Sequence, residues 1–479
     1  MQNPTTEEKA EFQMYPITVQ QLCDLTAGVQ SGHVNRTAKI DGTVIDSRDV
    51  QSGDVFFALQ GTHQHGVQFA SSALRDGANL IVVDEAQSAN CSCPHISVPD
   101  AEIALAQLAN WNRKASDALV IAITGSVGKT TTRQLLTAVL ETTHSGIQSP
   151  RNFNNHLGVP LSLLELQPGD EFAVIEMGAS APNEIAALAA ITEPEMAVVT
   201  RIAPAHLHGF QSVSAVQRCK QQLVQSIKPD GTVFLNIDDP QVAAMASASR
   251  AQVITFGTSE AADVRATEIE MLDDELRLVV NGHEYLVPIC GRHNATNVLA
   301  AIAVGLEIGI SEELIAAGLQ NFKSKPGRSF VTEIGEWTVI DDSYNSSPAS
   351  VSAAIQMAED FSDCRHRVLV MNDMLDLGDQ SADLHYGIGA ALAASKIDHV
   401  AVLGEYSCDV VEGFLAAGGH GNRISQFADL STLSAMLDCL LSCDDLVVIK
   451  GSRATKMERL IDVLTTLAAA DRESLSRAA

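Results

Sequence analysis

Residues 118–132, ALVIAITGSVGKTTT, constrain this chain more than any other stretch. The apolar run from Ala118 to Ile123 predicts a buried strand of a parallel sheet. It turns at Gly125-Ser126-Val127-Gly128 and enters a helix at Lys129-Thr130-Thr131. Glycine lets the backbone bend so that successive N–H groups point at one phosphate. The following helix N-terminus adds about half a positive charge. Lys129 is then placed to reach the β/γ-phosphates, and the Thr130 hydroxyl to hold Mg2+. This is a short form of the phosphate loop, because Ile123 stands where the strict pattern has its first glycine. A tight strand-to-helix turn with a surface lysine is the competing reading.

A chain of 479 residues has room for about three domains, each with its own core. The predicted architecture is α/β throughout. A small N-terminal domain (residues 1–99) and a doubly wound, Rossmann-like C-terminal domain (323–479) flank a central parallel-sheet, P-loop ATPase-like domain (100–322). No run approaches the roughly eighteen apolar residues of a membrane span. The first residues, MQNPTTEEKAEF, are polar and acidic, which is not a secretory leader and predicts a loose arm. The nine cysteines are scattered and complete no zinc pattern, as expected of reduced cytoplasmic thiols. The net charge of −28 repels nucleic acid, so any nucleotide site must concentrate its own cations and backbone donors.

In the first domain, strands are expected at residues 43–45, 55–59 and 80–83, with helices near 67–76 and 102–114. Asp46-Ser47-Arg48 follows the first of these strands. Arg48 suits a bidentate clamp on phosphate or carboxylate, or equally a surface ion pair with Asp46 or Asp49. In the central domain, the loop Asn152-Phe153-Asn154-Asn155 is dense in side-chain amides. Glu176 ends the strand 172–175 and so lies beside the ligand crevice of a parallel sheet, where it is a metal-ligand candidate. His206 follows the strand 196–200. Lys220, on a helix over 213–227, reads from spacing alone as a solvated lysine. Residues 264–288 alternate like a hairpin with Asn281-Gly282 as its turn. Asn294 and Asn297 share a helix face; capping accounts for one, leaving the other for a base edge. Lys325-Pro326-Gly327-Arg328 marks a boundary. Beyond it four strands (337–342, 367–371, 400–404, 446–450) alternate with helices near 348–360, 381–395, 407–417, 431–442 and 453–468. Their ends carry Asp342-Ser343-Tyr344-Asn345, Asn372-Asp373 and Lys450-Gly451-Ser452-Arg453.

Together these motifs resemble the ATP-dependent Mur ligase family over nearly the whole chain. The carriers are 124–130, 152–155, Glu176-Met177-Gly178, Ala205-His206-Leu207, Gly291-Arg292-His293-Asn294 and Pro326-Gly327-Arg328. The runs 341–348, 373–378 and 450–453 favour the branch that adds D-alanyl-D-alanine. The resemblance implies ATP and Mg2+ as cofactors, and UDP-N-acetylmuramoyl-tripeptide and D-alanyl-D-alanine as substrates. It implies an acyl-phosphate route in a monomeric cytoplasmic enzyme of peptidoglycan synthesis. Gly125, Ser126, Val127, Gly128, Lys129, Thr130 and Thr131 would hold the phosphates. Thr130 and Glu176 would hold one Mg2+ and His206 would help hold a second, with Lys220, if carbamylated, bridging or orienting the metal, which reverses the reading from spacing. Lys129, Lys220, His206 and Glu176 would be the catalytic set. Asn294 and Asn297 would lie near adenine, with Arg328, Asp342 and Tyr344 over ribose and phosphates. Ser47 and Arg48 would meet the uridine diphosphate end. Asn152, Asn154, Asn155, Asn345, Lys450, Ser452 and Arg453 would contact the substrates. The sequence departs from the family pattern at His65, His208, Gln222 and Asn372. A different Mur-type ligase, tripeptide-forming or folylpolyglutamate-like, and a non-ligase nucleotide-gated binding protein are the alternatives.

Overall fold

The computed structural model describes residues 14–272 and 274–478, with the side chains of Asp438 and residues 470–478 outside that description. The predicted N-terminal arm therefore lies outside the described residues, apart from its junction at Met14.

Among the described residues three large sheets follow one another along the chain, beside a two-stranded pairing of Ile17–Thr18 with Lys39–Ile40. The first has five strands. Gly42–Val44, Asp54–Phe57, Leu80–Asp84 and His95–Val98 run parallel, and Val29–Ser31 pairs antiparallel at one edge. The first three parallel strands match the sequence expectation. Val29–Ser31 is too short to show a period, and His95–Val98 lacks its alternation because all four residues are buried. The helix Ala101–Ala115 starts where Asp100 accepts the Ile103 N–H at 2.9 Å. It ends with Arg113 and Lys114 against its negative pole. Its Leu105 and Leu108 lie in one apolar cluster with Phe57, Val82, Val120 and Ala122, so the first sheet is welded to the second.

The second sheet has nine strands. Leu119–Thr124 lies between Phe172–Glu176 and Met196–Val199, and all three run parallel. The chain leaves Leu119–Thr124 toward one side and later returns on the other. The loop at 125–128 therefore sits at the switch point, where a parallel sheet opens a crevice. The helices Lys129–Leu140 and Ala295–Ile308 bury a common apolar face against this sheet. Residues 264–288 form a three-stranded meander, Val264–Leu272, Glu275–Val280 and His283–Val287, rather than the single hairpin expected. Asn281 and Gly282, at φ 54° and 83°, do make the predicted turn. The link between the first two of these strands gave no signal because residues 272–274 contain neither glycine nor proline.

The third sheet has six strands, not four. Five are parallel, and Phe330–Ile334 adds an antiparallel edge to Trp337–Asp342. Separate apolar clusters cover its two faces, as in a doubly wound fold. The last helix begins at Arg459 rather than near 453, after a run of turns. Met271 packs against the clusters of both the second and third sheets, and Leu384 bridges the third to the first cluster. Arg292 and Asp360 pair across the same joint at 3.3 Å.

Candidate active site

The glycine-rich loop is held by its neighbours. Ser126 N donates to Arg201 O at 2.7 Å, and Ser126 Oγ bonds Ala203 at 2.9 and 3.0 Å. Thr200 Oγ1 donates to Val127 O at 2.6 Å. Gly125 and Gly128 have φ 153° and 88°. A Cβ on Gly125 would lie 2.0 Å from Thr200 Oγ1, and one on Gly128 2.3 Å from Asn297 Oδ1. No side chain fits at either position, so the loop is a bare backbone cradle. Lys129 Nζ bonds Gly125 O at 2.9 Å and Ser126 O at 3.3 Å, which holds the ammonium at the loop mouth. Desolvation lowers its pKa, Glu176 opposes that, and Arg328 adds to it.

Glu176 is buried at the end of its strand. Its Oε2 accepts the Thr130 hydroxyl at 2.8 Å, and its Oε1 accepts Asn154 Nδ2 at 2.8 Å. Burial pushes this carboxyl up, but Arg133, Lys129 and Arg328 together outweigh it and hold the pKa below the usual value. Arg133 was not singled out in the sequence. It is buried beside Glu176 at 3.3 Å and also donates to Gln148 Oε1 and Arg151 O at 3.1 and 3.0 Å. Only its position four residues past Lys129, on the same helix face, could have pointed to it.

Two cavities meet at this point. One, of about 340 Å³, contains His206, Lys220, Glu184 and Phe210; the other, of about 320 Å³, contains Thr130, Glu176, Asn297, Arg328 and Asp342. Ser126, Lys129, Asn154 and His206 line both. Lys220 is only 3% exposed, which corrects the solvated lysine expected from its spacing. Its apolar helix neighbours Val216, Cys219, Leu223 and Val224 face the core, and it shares their face. Burial lowers its pKa to about 7, with Lys129 adding to the shift. Desolvation likewise lowers the pKa of His206, whose side chain is part-exposed; Lys129 acts in the same sense and Asp376 opposes it.

Capping was expected to account for one of Asn294 and Asn297, but Asn294 at the helix start makes no side-chain cap bond. Its Nδ2 donates to Cys290 O at 2.7 Å, and its Oδ1 accepts Asn297 Nδ2 at 2.8 Å. Asn297 Oδ1 also accepts the Thr132 hydroxyl at 3.1 Å, so the two amides brace the loop helix as well as lining the cavity.

The third sheet brings its strand ends over the same cavity. The Arg328 guanidinium lies 4.1 Å from the Tyr344 ring centroid. Lys450 Nζ donates to Asp342 Oδ2, Asn345 O and Asp342 O at 2.7, 2.6 and 3.3 Å. These three bonds use its full donor capacity inside the third unit, so it shapes the Asp342–Asn345 loop. Ser452 N bonds Thr455 Oγ1, while Arg453 reaches across to Asn152 Oδ1 at 3.3 Å. Asn155 Oδ1 accepts Gly158 N at 2.8 Å and caps the next helix; both Asn155 and Asn154 line the first cavity.

Ser47 and Arg48 lie on a short 3-10 turn of the first unit, outside both cavities. Arg48 grips Asp46 through Nε at 2.9 and 3.1 Å. The departures from the family pattern have local partners. His65 accepts the Val67 N–H at 3.1 Å and lies 3.4 Å from Asp84. Gln222 joins two helices by bonding Asn183 Oδ1 and the Ala186 N–H. Asn372 Oδ1 accepts the Asp373 N–H at 2.7 Å, and His208 N donates to Asp376 O at 3.2 Å.

The donors suit a nucleotide with Mg2+. The cradle supplies N–H groups and an ammonium for phosphates. Thr130 and Glu176 offer hard oxygens converging on one point. Among the described residues no group of three or more His, Cys, Asp or Glu can hold a metal alone. That is the pattern of Mg2+ carried by one or two protein oxygens plus substrate phosphates.

Comparison with known proteins points to one family. Three family profiles match: "Mur ligase family, catalytic domain" over 39–113, "Mur ligase middle domain" over 123–305, and "Mur ligase, glutamate ligase domain" over 327–453. UDP-N-acetylmuramoyl-tripeptide--D-alanyl-D-alanine ligase of Escherichia coli is 33% identical over 94% of this chain and 99% of its own length. The crystal structure of MurF from Acinetobacter baumannii superposes with TM-score 0.88 at 31% identity, covering 95% of this chain and all of that one. MurF ligase from Thermotoga maritima, solved in complex with ADP, gives TM-score 0.80 at 27% identity over 90% and 98% of the two chains.

Proposed function

The chain belongs to the Mur ligase family and is an ATP-dependent ligase, and on that premise we propose the reaction, the substrates and the residue roles that follow. It joins D-alanyl-D-alanine to UDP-N-acetylmuramoyl-tripeptide in peptidoglycan precursor synthesis. The relatives that carry that name match it nearly end to end. Residues 1–99 take the uridine diphosphate end, 100–322 the nucleotide, and 323–479 close over both. The enzyme works as a cytoplasmic monomer. No described helix is long and apolar enough to cross a membrane, and the described cysteines are free.

One observation carries the reading: two cavities share a wall of Ser126, Lys129, Asn154 and His206. One accepts the nucleotide and the other the acid, so the γ-phosphoryl and the carboxylate meet at Lys129. Both groups are anionic, and a carboxylate is a poor electrophile. Thr130 and Glu176 would hold one Mg2+ and His206 would help hold a second, and these ions would offset the repulsion of nucleophile and phosphate. Lys129 and the loop N–H groups orient the γ-phosphoryl for in-line attack by the carboxylate oxygen. ADP leaves and an acyl phosphate forms. Arg328 and Tyr344 close the nucleotide side, and Lys450 holds Asp342 and the Asn345 carbonyl in place. The dipeptide amine then attacks the acyl carbon, loses a proton, and expels phosphate. Lys220, buried beside Lys129 and His206, serves as a carbamate that orients the metal site.

The test is phosphate release with UDP-muramoyl-tripeptide, ATP, Mg2+ and D-alanyl-D-alanine, each omitted in turn. The reading requires all four. Release without the dipeptide would mark a nucleotide-gated device, and a preference for a different amine would mark another Mur-type ligase.

A further inference from the structure

The run Asp373–Gly378 has no part in the chemistry above, yet it is rigidly built. Asp373 accepts the N–H groups of Glu405 and Tyr406 at 2.7 and 3.1 Å, and Met374 N donates to His385 Nε2 at 2.9 Å. His385 is buried and stacks on Tyr406 at 4.8 Å. The turn thus presents Asp376 outward, toward the central unit. There its Oδ2 lies 3.4 Å from His206 Nδ1, and its carbonyl accepts the His208 N–H at 3.2 Å. Gly378, at φ 61°, lets the turn close on His208; a Cβ there would lie 3.3 Å from the His208 Cα.

Both partners are strained. His206 has φ 51° and Asp376 φ 62°. Left-handed non-glycine residues cost on the order of 1 kcal/mol or more and persist where their surroundings impose them. An exposed ion pair alone, with side chains 46% and 65% accessible, does not account for two such residues facing each other across a joint. A histidine whose Nδ1 is engaged by a carboxylate has its tautomer and ring orientation set, and Nε2 is left for the cavities that His206 lines.

We propose that Asp376 is a positioning residue: from the docked third unit it fixes the His206 ring for metal holding, so that closure and the metal site form together. This rests on reading His206 as a metal-holding side chain, and the experiment separates the two. Mn2+ is titrated into the full-length protein at saturating ADP, with free Mn2+ followed by electron paramagnetic resonance. The variants are H206A, D376N, D376E and H206A/D376N. Asn keeps the shape and tolerates the left-handed backbone, so D376N folds with an unchanged melting temperature. We expect D376N to weaken Mn2+ binding about 10- to 100-fold, the usual cost of losing a carboxylate behind a ligating histidine. H206A should weaken it at least as much, the double variant no more than H206A, and D376E should recover part of the loss. Wild-type binding by D376N beside weakened H206A overturns the role of Asp376 and leaves the metal reading standing. Unchanged binding by H206A overturns both. Full additivity in the double variant also overturns the proposal, because the two residues would then act independently.

Discussion

Replacing Lys220 with Met should make the protein more stable while stopping its chemistry. Burial first, and Lys129 next, lower the Lys220 pKa from 10.5 to about 7, with Glu184 and Glu176 compensating only in part. The native state therefore binds this proton more weakly than the unfolded chain does. Between pH 7 and 10.5 the unfolded chain carries more protons, so stability rises with pH across that window. At 1.36 kcal/mol per unit, a shift of about 3.5 units is a penalty of roughly 5 kcal/mol, complete below pH 7 and gone above 10.5. Met keeps the apolar stem and removes the charge. Lys220→Met should thus gain roughly 3–5 kcal/mol at pH 7, and the gain should fade toward pH 10.5. The assay is denaturant unfolding of both proteins in carbon-dioxide-depleted buffer from pH 6.5 to 10. Carbon dioxide adds only to a neutral amine, so the same low pKa prepares Lys220 for carbamylation. Bicarbonate should narrow the gap by stabilising the wild type alone. A variant no more stable than wild type at pH 7, or a gap that ignores pH, would refute the argument.

Three further substitutions probe the neighbouring charges. Lys129→Ala should abolish ATP-dependent ligation and leave the melting temperature within a few degrees of wild type, checked by phosphate release and calorimetry. Arg133→Met should destabilise by about 3 kcal/mol, because it strips a buried carboxylate of a close cation while Lys129 and Arg328 remain. Adding Glu176→Gln should restore much of that loss in denaturant melts, since the orphaned charge is then gone.

What could be read in advance was whatever the local chain writes plainly. The run 118–132 specified strand, bend and helix together, because apolar residues, two glycines and a lysine all agree on one geometry. Glu176 was legible from its place at a strand end, and Asn281-Gly282 from its turn chemistry. Burial of charge was not legible. Arg133 reads as a helix surface residue, yet it is 1% exposed because Glu176, Gln148 and Arg151 O arrive from distant chain positions. Lys220 looked solvated, although its face of the helix turns inward. Lys450 was expected at the substrates; it lines the second cavity, and its ammonium is held there by Asp342 and Asn345, partners that the sequence does not reveal. Short elements were lost for a different reason. Val29–Ser31 and Ile424–Gln426 exist only because a sheet edge is there to receive them.

The central claim is that the carboxylate of the acid is activated by the nucleotide's terminal phosphoryl at Lys129 before the amine displaces it. Labelling that carboxylate with ¹⁸O and analysing the released phosphate by mass spectrometry tests it most directly. The account predicts one ¹⁸O atom carried into each phosphate formed with product. Phosphate that forms alongside the amide product but carries no label would contradict it.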